Sequence, residues 1–172
     1  MRLTLKSYRG LRIRLFIPPL VDKHQLLHGE YQPLAPLEAT IDQESRIFDI
    51  IETGSANLYA ISDRFRQVLS QLRLTGWAAL PVNVRRGQLG VPLWLLAATG
   101  RCGPVYGSDG VPRPGLDRLG QYLDPLEWDG SDILCPENRT AVFVTGPAAE
   151  LLLAAKLTNL HFELGGFEPT PA

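Results

Sequence analysis

Residues 58–82, LYAISDRFRQVLSQLRLTGWAALPV, and residues 141–165, AVFVTGPAAELLLAAKLTNLHFELG, carry one pattern twice, at a constant offset of 83 residues and without a gap. Ile61-Ser62 falls on Val144-Thr145. Phe65, Val68, Leu69 and Leu72 fall on Ala148, Leu151, Leu152 and Ala155, and Arg73-Leu74-Thr75-Gly76 falls on Lys156-Leu157-Thr158-Asn159. Apolar residues at i, i+3, i+4 and i+7 form one face of an amphipathic helix. Ser62 and Thr145 stand in front of it as hydroxyl N-caps, and Gly76 and Asn159 are residue types that tolerate the left-handed conformation ending many helices. The flanks 58–61, 77–84, 141–144 and 160–164 read as short strands. The reading is an internal duplication and an α+β fold: two duplicated strand-helix-strand units packed on a mainly antiparallel sheet.

The rest of the composition bounds the class. A chain of 172 residues is read as a single domain, 1–172, and at this size it buries about 70% of its unfolded surface. With 45% hydrophobic residues, 20% charged and a net charge of −1, neither disorder nor a global nucleic-acid-binding charge is expected. The amino end, MRLTLKSYRGLRIRLFIPPLV, is basic and then apolar. Arg12 and Arg14 interrupt its apolar run, Pro18-Pro19 ends it, and no small-residue cleavage pattern follows, so it is not read as a signal peptide. No apolar stretch approaches the roughly 20 residues of a membrane-spanning helix. A cytoplasmic protein with no membrane or nucleic-acid partner is expected. Cys102 and Cys135 are too few for a disulfide framework.

Between these landmarks, 11–17 (LRIRLFI) alternates arginine with apolar residues and reads as a charge-guarded edge strand. Residues 22–29 (DKHQLLHG) form a short helix in this reading, with His24 and His28 at i, i+4. No further ligand lies at a zinc spacing, so no metal is expected. Residues 45–52 (SRIFDIIE) read as a strand, and Glu38, Asp42, Glu44, Asp49 and Glu52 around it as a solvated acidic face. Residues 84–88 (VRRGQ) look like a hairpin turn and 91–98 (VPLWLLAA) like a buried strand with Trp94 in the core. Residues 99–114 (TGRCGPVYGSDGVPRP) should be a long loop. The acidic segment 116–134 (LDRLGQYLDPLEWDGSDIL) follows, and its Asp-Gly-Ser-Asp lacks the spaced oxygen ligands of a calcium loop.

No catalytic signature stands out. Neither G-x-S-x-G nor G-x-x-x-x-G-K-[ST] occurs, Cys102 in Arg101-Cys102-Gly103 is a weak nucleophile signal, and no carboxylate pair can be singled out for acid–base work. An enzyme is not expected, and no cofactor.

The run LEWDGSDILxPENRTAVFVTGPAAELLLAAKLTNLHF resembles the carboxy-terminal part of bacterial polymorphic-toxin immunity proteins, notably the double-CxxCG group and its cysteine-poor single-domain relatives. In those proteins an apolar strand, a Ser/Thr cap and a helix ending in Leu-Thr-Gly or Leu-Thr-Asn recur, and ISDRFRQVLSQLRLTGW is similar to the same pattern. With the central loop the resemblance covers about two thirds of the chain. The two CxxCG motifs themselves are missing, with Arg101-Cys102-Gly103 standing where a remnant of one would be. The resemblance implies a protein that binds and neutralises a cognate toxin domain delivered between competing bacteria by contact-dependent or type VI secretion, by occluding its active site. The surface expected to bind is Tyr106, Asp109, Tyr122, Asp124, Glu127, Trp128, Asp129 and Asp132, an acidic patch suited to a toxin with a basic groove. The same residues also read as a solvated loop pinned by Trp128. A small-ligand-binding or regulatory α/β module, and an enzyme with an unrecognised carboxylate or cysteine, are the other classes the sequence leaves open.

Overall fold

Two four-stranded arrangements of the same order organise the chain. The computed structural model describes residues 1–5, 10–18, 21–43, 46–55, 57–85, 92–112 and 121–163. The first arrangement is built from β4 (Ile50–Glu52), β5 (Tyr59–Ser62), β6 (Trp77–Arg85) and β7 (Leu93–Ala98), in spatial order β4-β5-β7-β6. β2 (Arg12–Leu15) and β3 (Leu37–Gln43) join β4 to β6 and close these strands into a six-stranded barrel. The second is an open sheet in the order β10-β11-β1-β12: β10 (Ile133–Leu134), β11 (Phe143–Val144), β1 (Arg2–Leu5) and β12 (Leu160–Glu163). A two-stranded ribbon, β8 (Val105–Tyr106) and β9 (Tyr122–Leu123), stands apart. The fold is α+β and mostly antiparallel. Among the described strands, β2–β4 and β3–β6 are the parallel pairs.

The helices explain why the two arrangements match. α2 (Asp63–Gln71) and α3 (Gly146–Ala154) follow N-caps Ser62 and Thr145 and stop at C-caps Leu72 and Ala155, every position offset by 83. Arg73 and Gly76 have positive φ, 54° and 76°, and so do Lys156 and Asn159, 52° and 65°. β4 pairs with β5 through Ile50↔Ile61, and β10 with β11 through Ile133↔Val144. β7 lies between β5 and β6 with Leu95 opposite Ala60 and Leu80. β1 lies between β11 and β12 with Arg2 opposite Phe143 and Glu163, the counterparts of those residues. Thus a strand from the start of the chain takes, in the second sheet, the place that β7 takes in the first.

Buried side chains continue through both halves: Phe65, Leu69, Ile61 and Leu95 on one side, Ala148, Leu152, Val144 and Leu3 on the other, each 2% exposed or less. α1 (Lys23–Leu27), which begins at a capping box made by Asp22 and Gln25, adds Leu26 and Leu27 to this core. Among the described residues no helix is long and apolar enough to cross a membrane.

Reciprocal clamps join the halves. The Thr158 backbone N–H and hydroxyl donate to Asp49 Oδ2 at 2.7 and 2.8 Å, and the Asp49 N–H donates back to the hydroxyl at 2.8 Å. At the positions 83 residues away, the Thr75 N–H and hydroxyl donate to Asp132 Oδ2 at 2.9 and 3.0 Å, and the Asp132 N–H donates back at 3.1 Å. The first clamp is stronger because Ser62 Oγ and Arg64 also donate to Asp49, at 2.8 and 2.7 Å.

Several expectations are corrected. Asp49 does not stand on a solvated acidic face; it is 6% exposed, because its carboxylate closes a clamp. Residues 11–17 are not an edge strand, since β2 is paired on both sides and its arginines meet acids outside the barrel, Arg12 with Glu52 at 3.0 Å and Arg14 with Asp42 at 2.9 Å. Ser62 Oγ caps the Phe65 N–H at 3.1 Å, but Thr145 makes no side-chain capping bond, and Pro147 lacks one of the N–H groups a cap serves. The strand expected over 45–52 is confined to Ile50–Glu52. Most of the hairpin turn at 84–88 and the strand end at Leu164 lie outside the described residues.

Gly76 is fixed by more than its φ of 76°. A Cβ there would stand 2.1 Å from the Ile133 carbonyl oxygen and 2.6 Å from Ser131 Cβ. At the corresponding position Asn159 fits its side chain and donates to the Ile50 carbonyl at 3.2 Å. Gly76→Ala is therefore expected to cost roughly 1–3 kcal/mol, read as a lower urea midpoint. An unchanged midpoint would mean that β10 does not approach Gly76 this closely.

Candidate functional site

The segment that follows β9 is presented by local hydrogen bonding. Asp124, in extended conformation, accepts from the Leu126 N–H at 2.9 Å and starts a 3-10 turn, Pro125–Glu127, with proline in its first turn. An Asp-Pro pair favours such a start, since aspartate caps and proline needs no partner for its missing N–H. The turn leaves Leu126 93% and Trp128 44% exposed. The Trp128 indole donates to the Ser131 carbonyl at 2.9 Å. Asp129 then fastens the loop: Oδ1 accepts from the Ser131 N–H and Oδ2 from the Arg101 N–H, both at 2.9 Å. Burial works against its ionisation, but these backbone donors and Arg101 outweigh it and hold the carboxyl below the usual aspartate range.

Beside it stands the β8–β9 ribbon. Tyr106 and Tyr122 stack with ring centroids 5.5 Å apart, and the Tyr106 hydroxyl donates to Glu127 at 2.9 Å. That bond, followed by partial burial and the charges of Glu127 and Asp124, raises the phenol's pKa. Asn138 brackets Val105 from its other side, accepting from its N–H and donating to its carbonyl at 2.9 and 3.1 Å. Asp109 sits in the turn after β8 and accepts from the Val111 N–H at 3.2 Å.

Of the eight candidate residues, Tyr106, Tyr122, Asp124 and Glu127 come together, with Trp128 and Asp129 on the adjoining loop. Asp132 belongs elsewhere: its carboxylate is held by Thr75 in the second clamp. The residue missed by sequence reading is Leu126, and the Asp124-Pro125 cap is the signal that exposes it.

A hollow of about 370 Å³ opens beside Trp128, lined by Leu123, Asp124 and Pro125 and reaching Cys102, Leu134 and Phe143. A larger hollow of about 710 Å³ lies at Phe16, Tyr31 and Leu34 and contains none of the eight candidates. The smaller one is chemically the more specific, because it adjoins the acidic segment.

Neither cysteine is poised as a nucleophile. Cys102 is 1% exposed, and burial, reinforced by Cys135 and by the negative charges of Asp129, Glu137 and Glu127, pushes its thiol up to about 12. Burial carries Cys135 to about 11. Both are thus thiols at neutral pH, whereas the thiolate is the reactive form. Native protein at pH 8 is expected to resist iodoacetamide at both positions and to be alkylated at both in urea. Rapid native alkylation of Cys102 would place that thiol at the surface. His24 and His28 stack at 6.0 Å, and among the described residues no group of three or more metal-binding side chains converges.

Comparison with known proteins adds no identity to this geometry: no protein-family model matches the sequence, and no curated protein matches it.

Proposed function

We propose that this chain is an immunity protein that binds a cognate secreted bacterial toxin domain in the cytoplasm and blocks its active site. The reading starts from the resemblance of the two helix-centred segments. The observation that carries it further is the pair of exposed apolar side chains, Leu126 and Trp128, in a segment whose ionisable side chains are acidic. Residues 121–132, QYLDPLEWDGSD, hold four carboxylates and no lysine or arginine. Large exposed apolar side chains rimmed by charge are typical of association surfaces, and aromatic anchors contribute most of the binding energy in many interfaces. Side chain–backbone bonds from Asp124 and Asp129 brace the segment, which limits the ordering cost of binding.

We also infer that the two halves are copies of one duplicated unit. The shared offset of caps, left-handed residues, strand registers and Asp–Thr clamps supports this, with β1 filling the place that β7 fills in the first copy.

The test is co-expression with the toxic carboxy-terminal domain encoded by the adjacent upstream gene, scored by survival and co-purification. Rescue with a stable complex is expected; no rescue would remove the immunity reading for that pair. A small-ligand-binding module is the second reading, favoured by the 710 Å³ hollow, which falls in the size range of ligand sites. Saturable thermal stabilisation by a metabolite, with no protein partner, would replace the first reading with this one.

A further inference from the structure

We infer that the hollow beside Trp128 seats one large apolar side chain of the partner protein, flanked in the partner by lysine or arginine. This rests on the reading that the chain binds a protein through residues 121–132. The floor of the hollow comes from Cys102, Leu134 and Phe143, which are 1%, 5% and 3% exposed. These residues belong to a small apolar cluster, separate from the main core, against which Leu123 packs. An inserted side chain would complete this cluster and remove apolar surface from water, the non-directional term that drives most association.

Charge determines what surrounds the anchor. Asp124 is on the wall of the hollow, and Glu127 and Asp129 follow on the same loop. Glu127, Asp129 and Glu137 all act electrostatically on Cys102 at the floor, so their negative potential reaches the cavity. Two cations stand nearby: Arg101 is paired with Glu30 at 3.7 Å, and the Met1 ammonium on the lining of the hollow donates to the Val144 carbonyl, with burial lowering its pKa and so weakening its charge. An apolar anchor flanked by cations therefore complements the hollow, and an acidic segment is repelled.

The apolar surface also continues past the rim. Leu126 shares the 3-10 turn with Pro125 and is 93% exposed. A ligand only the size of the hollow would leave Leu126 wet, whereas a polypeptide that inserts one side chain would run across it.

The first experiment needs no knowledge of the toxin. The full chain, labelled with nitrogen-15, is titrated with acetyl-Arg-Phe-Lys-amide, acetyl-Glu-Phe-Glu-amide and acetyl-Arg-Ala-Lys-amide. The amides of Leu123 and Thr145 and the indole N–H of Trp128 are expected to shift saturably with the first peptide, with affinity about tenfold or more above either control. No saturable shift there, or an equal response to the acidic peptide, overturns the inference.

The second experiment uses Thr145→Phe, which places bulk on the lining of the hollow. Thr145 makes no side-chain capping bond, so the fold should tolerate the change. The variant is expected to lose the peptide response and to hold the upstream toxin domain about 30-fold or more weakly. Undiminished toxin binding by Thr145→Phe would overturn the hollow while leaving the immunity reading intact. A wild-type chain that responds to the peptide but does not hold the toxin domain would keep the hollow and remove that reading.

Discussion

Asp49→Ala is expected to destabilise the fold by about 3–4 kcal/mol, seen as a large fall in the urea midpoint at nearly constant slope. The side chain is 9% exposed. Its removal strands the Thr158 N–H and the hydroxyls of Thr158 and Ser62, all of which donate to the carboxylate at 2.7 to 2.8 Å. A buried donor left without an acceptor costs about 1–3 kcal/mol, so the loss comes from several groups at once. Arg64 contributes less than these groups, although it also donates to the Ala155 and Lys156 carbonyls at 3.1 and 3.4 Å. Its side chain is 52% exposed, and solvent-screened pairs are worth about 0–1 kcal/mol, so Arg64→Ala should cost less than 1 kcal/mol by the same argument.

The Asp49 effect should depend on pH. Burial works to raise the carboxyl's pKa, but the Thr158 N–H, the Ser62 and Thr158 hydroxyls and Arg64 together hold it below the usual aspartate value. A group whose folded pKa is depressed stabilises above its unfolded pKa and loses that contribution as pH falls through the folded value. The gap between wild type and Asp49→Ala should therefore be full at neutral pH and shrink below about pH 4. A gap that stayed constant down to pH 2 would show that the carboxylate's charge does not hold the clamp. Asp132→Ala, at the corresponding position, lacks the serine and arginine donors and should cost less.

The matched clamps also show what the sequence could and could not disclose. The helix boundaries were legible because they depend on local chemistry: apolar spacing, a hydroxyl in front, and a residue that accepts positive φ behind. The pattern in fact reaches further back than residues 58 and 141. Asp49-Ile50 and Asp132-Ile133 keep the same offset, and so do Thr75 and Thr158, so the clamp partners were present as a repeated Asp-Ile and a repeated Leu-Thr. Asp49 reads as solvated because it stands in sequence among other acids, the exposed Asp42 included, and composition cannot tell a buried carboxylate from an exposed neighbour. Barrel closure by β2 and β3, and the insertion of β1 between β11 and β12, left no local trace. Each depends on pairings between distant parts of the chain, and a strand's pattern specifies which face is buried without naming its neighbour.

Candidate-site legibility was uneven for a similar reason. Residue type pointed to the acidic and aromatic positions, but not to which carboxylates were already occupied. Asp129 and Asp132 hold backbone N–H groups of distant segments, Arg101 and Thr75, so their substitution would disturb the scaffold together with any interface.

Trp128→Ala and Leu126→Ala avoid that confusion. Trp128 makes one side-chain hydrogen bond, to the Ser131 carbonyl, and Leu126 is 93% exposed, so neither change should lower stability by more than about 1.5 kcal/mol. If the segment is the docking surface, Trp128→Ala should weaken binding of the upstream toxin domain by about 2–4 kcal/mol, roughly 30- to 1,000-fold, mainly through faster dissociation. Leu126→Ala should have a smaller effect in the same direction. The acidic rim should appear in the association rate, which is expected to fall as salt shortens the range of its charges. Calorimetry and surface plasmon resonance separate these terms. Undiminished affinity in both variants, with an association rate indifferent to salt, would move the docking surface away from residues 121–132 and return the segment to the solvated-loop reading.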